Sequence, residues 1–313
     1  MTASSSEAAT SSKAATKPDS AFAPARWLGR VFVVLLIGFF TLFFIIPLIW
    51  ILLAPTKSDT QLNRLGGESS LSFGSFGQLA ENWNALVTFQ HGVIFTWLGN
   101  SVLYTGVALV ITLVVTIPAG YALGLMNFKL RRTLLALTLM VMLIPNTALV
   151  LPIFLEINAL NLVGTPWAVI LPFSFFPFGV YLTYIYFSTA ISNELLDAAR
   201  VDGAGEFTVF ARIAMPLAKP VIALVGFFTF VTNWNNYFLP FVMVQGRKLP
   251  IQVGLTNLIS STPEFNPTNI ASLIVTLPQL ALATIISVAP VLIVFLFSQR
   301  FLVSGLTAGA TKG

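Results

Sequence analysis

Long apolar runs constrain the fold of this chain more than any other feature of its sequence. Six such runs lie between residues 31 and 298, and none alternates apolar with polar residues as a membrane β-strand would. A helix needs about 20 apolar residues to cross the roughly 30 Å hydrocarbon core of a bilayer. We therefore predict an all-α membrane protein with six transmembrane helices, near residues 31–53, 98–125, 133–155, 166–187, 218–244 and 272–298.

The overall composition excludes several other classes of protein. Of the 313 residues, 56% are hydrophobic and 9% are charged, whereas soluble domains are about 45–50% apolar and about 25% charged. The chain has no cysteine, and its one histidine is His91. Because thiolates are absent and the carboxylates are scattered, we expect neither a metal site nor a hydrolytic site.

The distribution of lysine and arginine predicts the orientation of the helices. An even number of spans places both termini on the same side. With the N-terminus inside, twelve basic residues lie in cytoplasmic segments and four lie outside, namely Lys57, Arg64, Arg247 and Lys248. This bias follows the positive-inside rule, so we expect both termini in the cytoplasm. The net charge of +5 then reflects topology, and we expect no nucleic-acid partner.

The same spans divide the chain into regions. Residues 1–25 are rich in Ser, Ala and Thr and predict a disordered cytoplasmic tail. Residues 26–300 form the transmembrane domain, with an extracytoplasmic loop at 54–97 that we expect to be partly folded, and residues 301–313 form a cytoplasmic tail. Nine prolines fall in or beside the spans, and we expect them to break these helices. Such breaks are typical of transporters, although proline is also generally commoner in membrane helices than in soluble ones.

A charged segment between the fourth and fifth spans stands out from the apolar background. It begins "NELLDAARVDGAGEFTVFAR" at Asn193 and extends to residue 216. Its spacing predicts a helical hairpin whose first helix presents Leu195, Ala198, Ala199 and Asp202 on one face. Gly203 is expected to end that helix with a positive φ.

The second helix of this hairpin is expected to begin near Glu206, where the helix dipole favours an anion. Phe207, Phe210 and Ile213 would then share its apolar face. The spacing alone leaves two interpretations open. The hairpin is either an amphipathic link between two spans or a docking site for another protein.

The hairpin sequence also carries a family resemblance. "DAARVDGAGEFTVFARIAMPLAKP" (197–220) resembles the cytoplasmic signature of ABC-importer permeases, with Asp197 where glutamate is usual. The segments "LNLVGTPWAVILP" (160–172), "WNNYFLPF" (234–241) and "RFLVSGLTAGATKG" (300–313) are similar to permeases of the carbohydrate-uptake type, and "GYALGLMNFKLRR" (120–132) is similar to the end of their second span. Together these segments place the resemblance over roughly residues 27–313.

The resemblance implies a function and a set of partners. The chain would be the pore-forming subunit of an ATP-driven importer in a bacterial plasma membrane, carrying a di- or oligosaccharide. It would pair with a homologous permease subunit, receive sugar from an extracytoplasmic binding protein, and dock on two ATP-binding subunits. The residues implied in ATPase coupling are Glu194, Leu195, Asp197, Ala198, Ala199, Asp202, Gly203, Ala204, Phe207 and Phe210.

The chain itself lacks the sequence of an ATP-binding loop. A phosphate-cradling loop requires G-x-x-x-x-G-K-[ST] before a helix, and "GLTAGATKG" at the C-terminus has the wrong spacing. We therefore expect no catalytic activity and no cofactor in this chain. ATP and Mg would be used by the partner ATPase.

Polar residues in the fifth span are candidates for the substrate pathway. They are Asn233, Trp234, Asn235, Asn236 and Tyr237, and Asn146 with Thr147 in the third span are weaker candidates. Amides and hydroxyls suit sugar hydroxyl groups, and tryptophan stacks on sugar faces. The alternative is hydrogen bonding between permease subunits, together with an aromatic anchor at the membrane interface.

Two further functions remain as alternatives. An ion-coupled secondary carrier would normally place ionisable residues inside its spans, but the interiors of the five later spans have none. An ABC permease for a solute other than sugar fits the same sequence features. A membrane scaffold without transport is disfavoured by the many prolines.

Overall fold

The computed structural model describes residues 23–63, 71–267 and 274–307. The first 22 residues of the predicted N-terminal tail and the last six of the predicted C-terminal tail lie outside these ranges. The regular secondary structure of the described residues is entirely helical. Contacts within the chain separate two units, residues 1–50 and residues 51–313.

Helix α1 (Ala23–Leu53) contains all of the described part of the first unit, and its last three residues belong to the second. Its apolar side chains are exposed within this unit, and phenylalanines stack along it, with 6.2 Å between the ring centroids of Phe39 and Phe43. A helix that is apolar on every side requires lipid or protein around it. It is therefore suited to a bilayer, and Pro47 lies within it without ending it.

The described residues after α1, 54–63 and 71–92, are largely helical, and residues 64–70 of the predicted loop lie outside the described ranges. This segment contains a 3₁₀ turn (Ala54–Thr56), α2 (Asp59–Asn63) and α3 (Phe76–Thr88). The buried amide of Asn82 donates to the carbonyls of Pro55 and Lys57, both at 2.9 Å. These two bonds satisfy backbone groups that would otherwise be buried without partners, and they fix α3 against the turn.

The remaining helices belong to the second unit, together with the segment that follows α1. They are α4 (Val93–Leu125), α5 (Arg131–Met142), α6 (Val150–Ala159), α7 (Trp167–Phe173), α8 (Pro177–Ala190), α9 (Asn193–Val201), α10 (Glu206–Val209), α11 (Met215–Leu217), α12 (Lys219–Trp234), α13 (Phe238–Met243), α14 (Ile251–Ser260) and α15 (Leu277–Thr307). Among the described residues, four helical segments are long and apolar enough to cross a membrane, or up to six if each bent pair counts as one span.

The predicted spans differ from the observed helices mainly in their continuity. The second begins at Val93, and the last continues to Thr307. The predicted third span is bent by 99° between residues 131–142 and 146–159. The predicted fifth span is interrupted, because α12 ends at Trp234 and α13 begins at Phe238.

Most of the prolines do not break a span, which corrects the sequence-based expectation. Pro145 and Pro177 lie at breaks within spans, and Pro177 opens α8. The others lie inside helices or in their first turns, and these are Pro47, Pro118, Pro152, Pro172, Pro240, Pro278 and Pro290. The first turn of a helix tolerates proline because its N–H groups have no partner within the helix.

Two glycines bring α4 and α8 into close contact. A Cβ atom on Gly120 would lie 2.3 Å from the Cβ of Thr183, and one on Gly124 would lie 2.8 Å from the Cβ of Phe187. Neither distance leaves room for a side chain. The "GYALG" sequence therefore permits backbone approach, as small residues do elsewhere in membrane helix pairs.

The opposite end of α4 is held by a loop after α13. The amide of Asn100 donates to the carbonyls of Arg247 and Leu249 at 2.7 and 2.9 Å, and the hydroxyl of Tyr104 donates to the carbonyl of Lys248 at 2.8 Å. The basic pair at 247–248 thus lies at the end of the bundle remote from Gly124. Tyr104 and Gly124 are about 20 positions apart in α4, or roughly 30 Å along the helix axis.

Candidate functional site

A helical hairpin joins α8 to α12, and its turn has a defined geometry. Helix α9 ends in a Schellman motif, in which the N–H of Ala204 donates to the carbonyl of Ala199 and the N–H of Gly203 donates to the carbonyl of Arg200, both at 3.0 Å. Gly203 has a φ of +85°. The predicted positive φ is therefore confirmed.

The second arm of the hairpin is not a uniform helix. It begins with Glu206 in the first turn of α10, as predicted, and continues through a π-helical turn (Phe210–Ala214) into α11. Turns of this kind are rare and often occur at functional sites. The chain then enters α12 at an angle of 75° between residues 206–217 and 219–234.

One face of the hairpin packs against the bundle. Leu196, Val209 and Ala214 are completely buried, and they belong to a cluster that includes Phe187 of α8. Leu195 is 47% exposed and Phe207 is 81% exposed. Leu196 in α9 and Val209 in α10 therefore face the bundle, whereas Leu195 and Phe207 of the predicted apolar faces do not.

The other predicted coupling residues are distributed around this buried face. Ala199, Ala204, Phe210 and Ile213 are half-buried against the cluster, while Glu194, Asp197, Ala198, Asp202 and Gly203 are exposed. Val201 is 87% exposed. Leu195, Val201 and Phe207 are thus large apolar residues that the hairpin leaves uncovered, and we call them the exposed apolar set.

Arg200 links the charged groups of the hairpin. Its guanidinium lies 2.7 Å from a carboxylate oxygen of Asp197 and 2.7 Å from one of Glu206. Hydrogen bonds from Arg200 lower the pKa of the Glu206 carboxyl, and those from Glu206 and Asp197 raise the pKa of the guanidinium. The Glu206 carboxylate therefore stays ionised at neutral pH, and its pair with Arg200 ties the two arms of the hairpin together.

A cavity lies where three helical breaks meet. Its volume is about 350 Å³, and its lining comes from the breaks between α5 and α6, between α7 and α8, and between α12 and α13. Broken helices expose polar backbone groups, which membrane proteins tolerate beside a cavity. The polar side chains in the lining are Asn146, Thr147, Thr232, Asn233 and Asn236. The structure thus brings together candidates from the third and fifth predicted spans.

Two of the predicted pathway residues make hydrogen bonds inside the chain. The buried amide of Asn233 donates to the carbonyl of Phe173 at 3.1 Å, at the end of α7. Trp234 is 2% exposed, and its indole N–H donates to the carbonyl of Ser287 at 3.0 Å. Both residues therefore hold helices together within one chain, and the Trp234 ring has no open face for a sugar in this structure.

The remaining predicted pathway residues separate into two groups. Asn236 is half-buried in the cavity wall, and its side-chain oxygen accepts from the N–H of Leu239 at 3.3 Å. Asn235 is exposed and bonds to the carbonyl of Val231 at 2.9 Å, outside the cavity lining. Tyr237 also lies outside the lining and stacks on Phe241, with ring centroids 5.3 Å apart.

Comparison with known proteins decides the family. Residues 116–308 match the family described as "Binding-protein-dependent transport system inner membrane component". The chain belongs to this family. The matched range includes the hairpin and all three breaks around the cavity, so both features lie in the family domain of this permease.

Individual relatives agree with the family match. The permease is 33% identical over 282 residues to the arabinooligosaccharides transport system permease protein AraQ of Halalkalibacterium halodurans, covering 89% of this chain and 96% of the relative. It is 29% identical to the lactose transport system permease protein LacG of Rhizobium radiobacter, over 84% of this chain and 89% of the relative.

A solved structure shows the same fold. It is a bacterial ABC transporter involved in the import of the acidic polysaccharide alginate, with a TM-score of 0.76 and 24% identity, covering 91% of this permease and 99% of that chain. Family membership makes the protein a multi-pass permease of the plasma membrane. It also implies a solute-binding protein and an ATPase as partners.

Sequence reasoning missed several residues of these sites. Arg200 was not singled out, although its spacing of three from Asp197 is an ion-pair spacing on a helix. Tyr121 of the permease contacts Glu206, 85 positions away in sequence, and no local pattern indicates that pairing. Phe175 and Phe176 line the cavity; the prolines of "PFSFFP" predicted a break there, but no pattern in the sequence indicated that its aromatic residues face a cavity.

Proposed function

We propose that this permease forms the pore of an ATP-driven importer for a neutral sugar, specifically a di- or oligosaccharide. Relatives named for arabinooligosaccharides and lactose support the substrate class. The sugar would be delivered by an extracytoplasmic binding protein. A permease for a neutral solute other than a sugar is the second candidate, because the cavity does not distinguish between hydroxylated solutes.

The cavity at the three helical breaks is the observation that carries this proposal. Aliphatic, aromatic, amide and hydroxyl side chains line it, and the described residues of the lining include no Lys, Arg, Asp or Glu. A volume of about 350 Å³ lies in the range of small-molecule sites. A charged solute would lose its hydration there without gaining a counter-ion. An uncharged solute with hydroxyl groups suits such a lining better.

The topology that goes with this function has six spans and cytoplasmic termini. Each bent pair would count as one span. Lys129, Arg131 and Arg132 follow α4 at the hairpin end of the bundle, and Arg200, Arg212 and Lys219 lie in or beside the hairpin, whereas Arg247 and Lys248 lie at the other end. This asymmetry supports a cytoplasmic hairpin under the positive-inside rule.

The exposed apolar set supports a role for the hairpin in docking an ATPase. Large apolar side chains uncovered beside charged groups mark protein contacts. We propose that Leu195, Val201 and Phe207 enter a groove on an ATP-binding subunit. Two such subunits and a second, homologous permease subunit would complete the importer. ATP and Mg would be bound by the ATPases, and this chain would bind no cofactor.

Reconstitution tests the substrate class. The permease would be co-expressed with its permease and ATPase partners and placed in proteoliposomes with the binding protein. A neutral disaccharide should be taken up only with ATP and the binding protein, and an acidic disaccharide of similar size should not. Uptake driven by a proton gradient without ATP would reject the proposal, and uptake of non-sugar solutes alone would support the second candidate.

Phe207→Asp tests the docking role directly. The variant should insert into the membrane but lose its ATPase in detergent purification, because a charge replaces an apolar anchor. Phe76→Asp is the matched control, since Phe76 is 76% exposed in α3, outside the hairpin. Equal ATPase retention by wild type and by Phe207→Asp would contradict this role.

A further inference from the structure

A tyrosine of the bundle contacts the hairpin directly. The hydroxyl of Tyr121 donates to a carboxylate oxygen of Glu206 at 3.3 Å, and Tyr121 is 4% exposed near the end of α4. We propose that Tyr121 and Glu206 are positioning residues that transmit movement of the hairpin to α4. This inference rests on the proposed function, since it assumes that an ATPase displaces the hairpin.

The hairpin is built to move as one body at this contact. Arg200 in α9 binds both carboxylate oxygens of Glu206 in α10, at 2.7 and 3.3 Å, and it also binds Asp197. Two charge-assisted hydrogen bonds in parallel fix orientation as well as distance. A displacement of α9 therefore carries the Glu206 carboxylate with it, and Arg200 positions that carboxylate for Tyr121.

The Tyr121 ring is clamped between the hairpin and α8. Its centroid lies 5.0 Å from that of Phe210 in the hairpin and 5.5 Å from that of Phe187 in α8. The glycines on either side of Tyr121, at 120 and 124, hold α4 and α8 too close together for either to slide freely. A force on Tyr121 consequently acts on both helices together.

Helix α4 also contacts the break between α7 and α8, which contributes to the cavity wall. Thr112 is completely buried, and its hydroxyl donates to the carbonyl of Ser174 at 3.1 Å, in the break between α7 and α8. Phe175, Phe176 and Pro177 follow Ser174 and line the cavity. Thr112 and Tyr121 are nine positions apart in α4, or roughly 14 Å along the axis. One helix therefore joins the hairpin contact to the cavity wall.

Tyr121→Phe tests the link because it removes the hydroxyl and keeps the ring packing. The measurement is sugar imported per ATP hydrolysed in proteoliposomes, which a purely structural residue would not change. We expect ATPase retention and ATP hydrolysis to persist, and import per ATP to fall about two- to tenfold, the range for one hydrogen bond. Tyr181→Phe in α8 is the matched control, because the described residues offer its hydroxyl no hydrogen-bond partner.

Glu206→Ala provides a second test of the link, and it changes an exposed residue outside the bundle core. It removes the Arg200 pair as well as the Tyr121 contact, so it should lower import per ATP at least as much as Tyr121→Phe does. Adding Tyr121→Phe to it should cause no further loss, because the Tyr121 contact is already absent. Import per ATP at the wild-type value in either single variant would overturn the inference, and so would fully multiplicative losses in the double variant. A wild-type complex without ATP-dependent sugar import would instead reject the proposed function.

Discussion

Replacing Gly203 with valine perturbs the turn between the two hairpin arms with little other disturbance. No heavy atom of the described residues lies within 4 Å of the position that a Cβ atom would occupy, and φ is +85°. A side chain therefore has room, and its cost comes from the backbone alone. An L-residue in the left-handed region costs about 1–2 kcal/mol, and a β-branched residue is at the upper end because its side chain crowds the backbone.

The affinity of the ATPase for the permease in nanodiscs measures this cost. If docking requires the turn that Gly203 forms, 1–2 kcal/mol of strain should weaken binding roughly five- to thirtyfold. Gly203→Asn should weaken it less than Gly203→Val, because asparagine visits the left-handed region more readily. The ranking of the two variants therefore follows from backbone conformation and not from size alone.

Gly205 gives a matched control in the same turn. It also has no heavy atom within 4 Å of its Cβ position, but its φ is −70° and its ψ is 159°, an extended conformation. Gly205→Val should bind ATPase within about twofold of wild type, since extended backbone favours β-branched residues. Equal weakening by both valine variants, or wild-type affinity in Gly203→Val, would refute the reasoning.

Three further predictions follow from contacts elsewhere in the chain. Gly120→Val should lower the thermal unfolding midpoint in detergent by overpacking the contact with α8, at about 1–3 kcal/mol, whereas Gly106→Ala should not, since no heavy atom lies within 4 Å of its Cβ position. Trp234→Phe should lose about 1 kcal/mol of stability with its buried hydrogen bond. A changed sugar preference at unchanged stability would contradict that structural role. Arg200 lowers the pKa of the Glu206 carboxyl. The Arg200–Glu206 pair therefore stabilises the hairpin fully above the usual glutamate pKa of about 4.3, and this stabilisation is lost only below that pH. ATPase retention should therefore be flat from about pH 5.5 to 8, and a loss within that range would show that another group titrates.

The lengths of the apolar runs predicted where the membrane helices lie, because a helix needs a minimum number of apolar residues to cross the bilayer. They could not predict where helices break. Pro118 and Pro290 lie within continuous helices, while the break after Trp234 contains no proline. The amide of Asn233 donates instead to a carbonyl at the end of α7. Breaks therefore depend on partners from distant segments, which single-sequence periodicity does not contain.

The hairpin also has a feature that depends on contacts with distant segments. Its two arms, its turn at Gly203 and the place of Glu206 all follow from local rules. Its buried face does not, because Leu195 and Leu196 are adjacent and both fit a helical apolar stripe. Contact with the cluster around Phe187 selects Leu196, and that contact comes from tertiary structure.

The hydrogen bonds of the cavity wall restrict which residues can contact a solute. Asn233 is already bonded to the end of α7, and Trp234 is buried against α15. Asn146 and Thr147 are exposed in the lining, and their side chains show no hydrogen bond within the part of the chain that the structure describes. With Thr232 and Asn236, they offer few polar groups for a sugar that has many hydroxyls. On the proposed function, so few groups give weak discrimination between sugars, because selectivity requires matched hydrogen bonds. The binding protein must then make most of the selection before the sugar reaches this cavity.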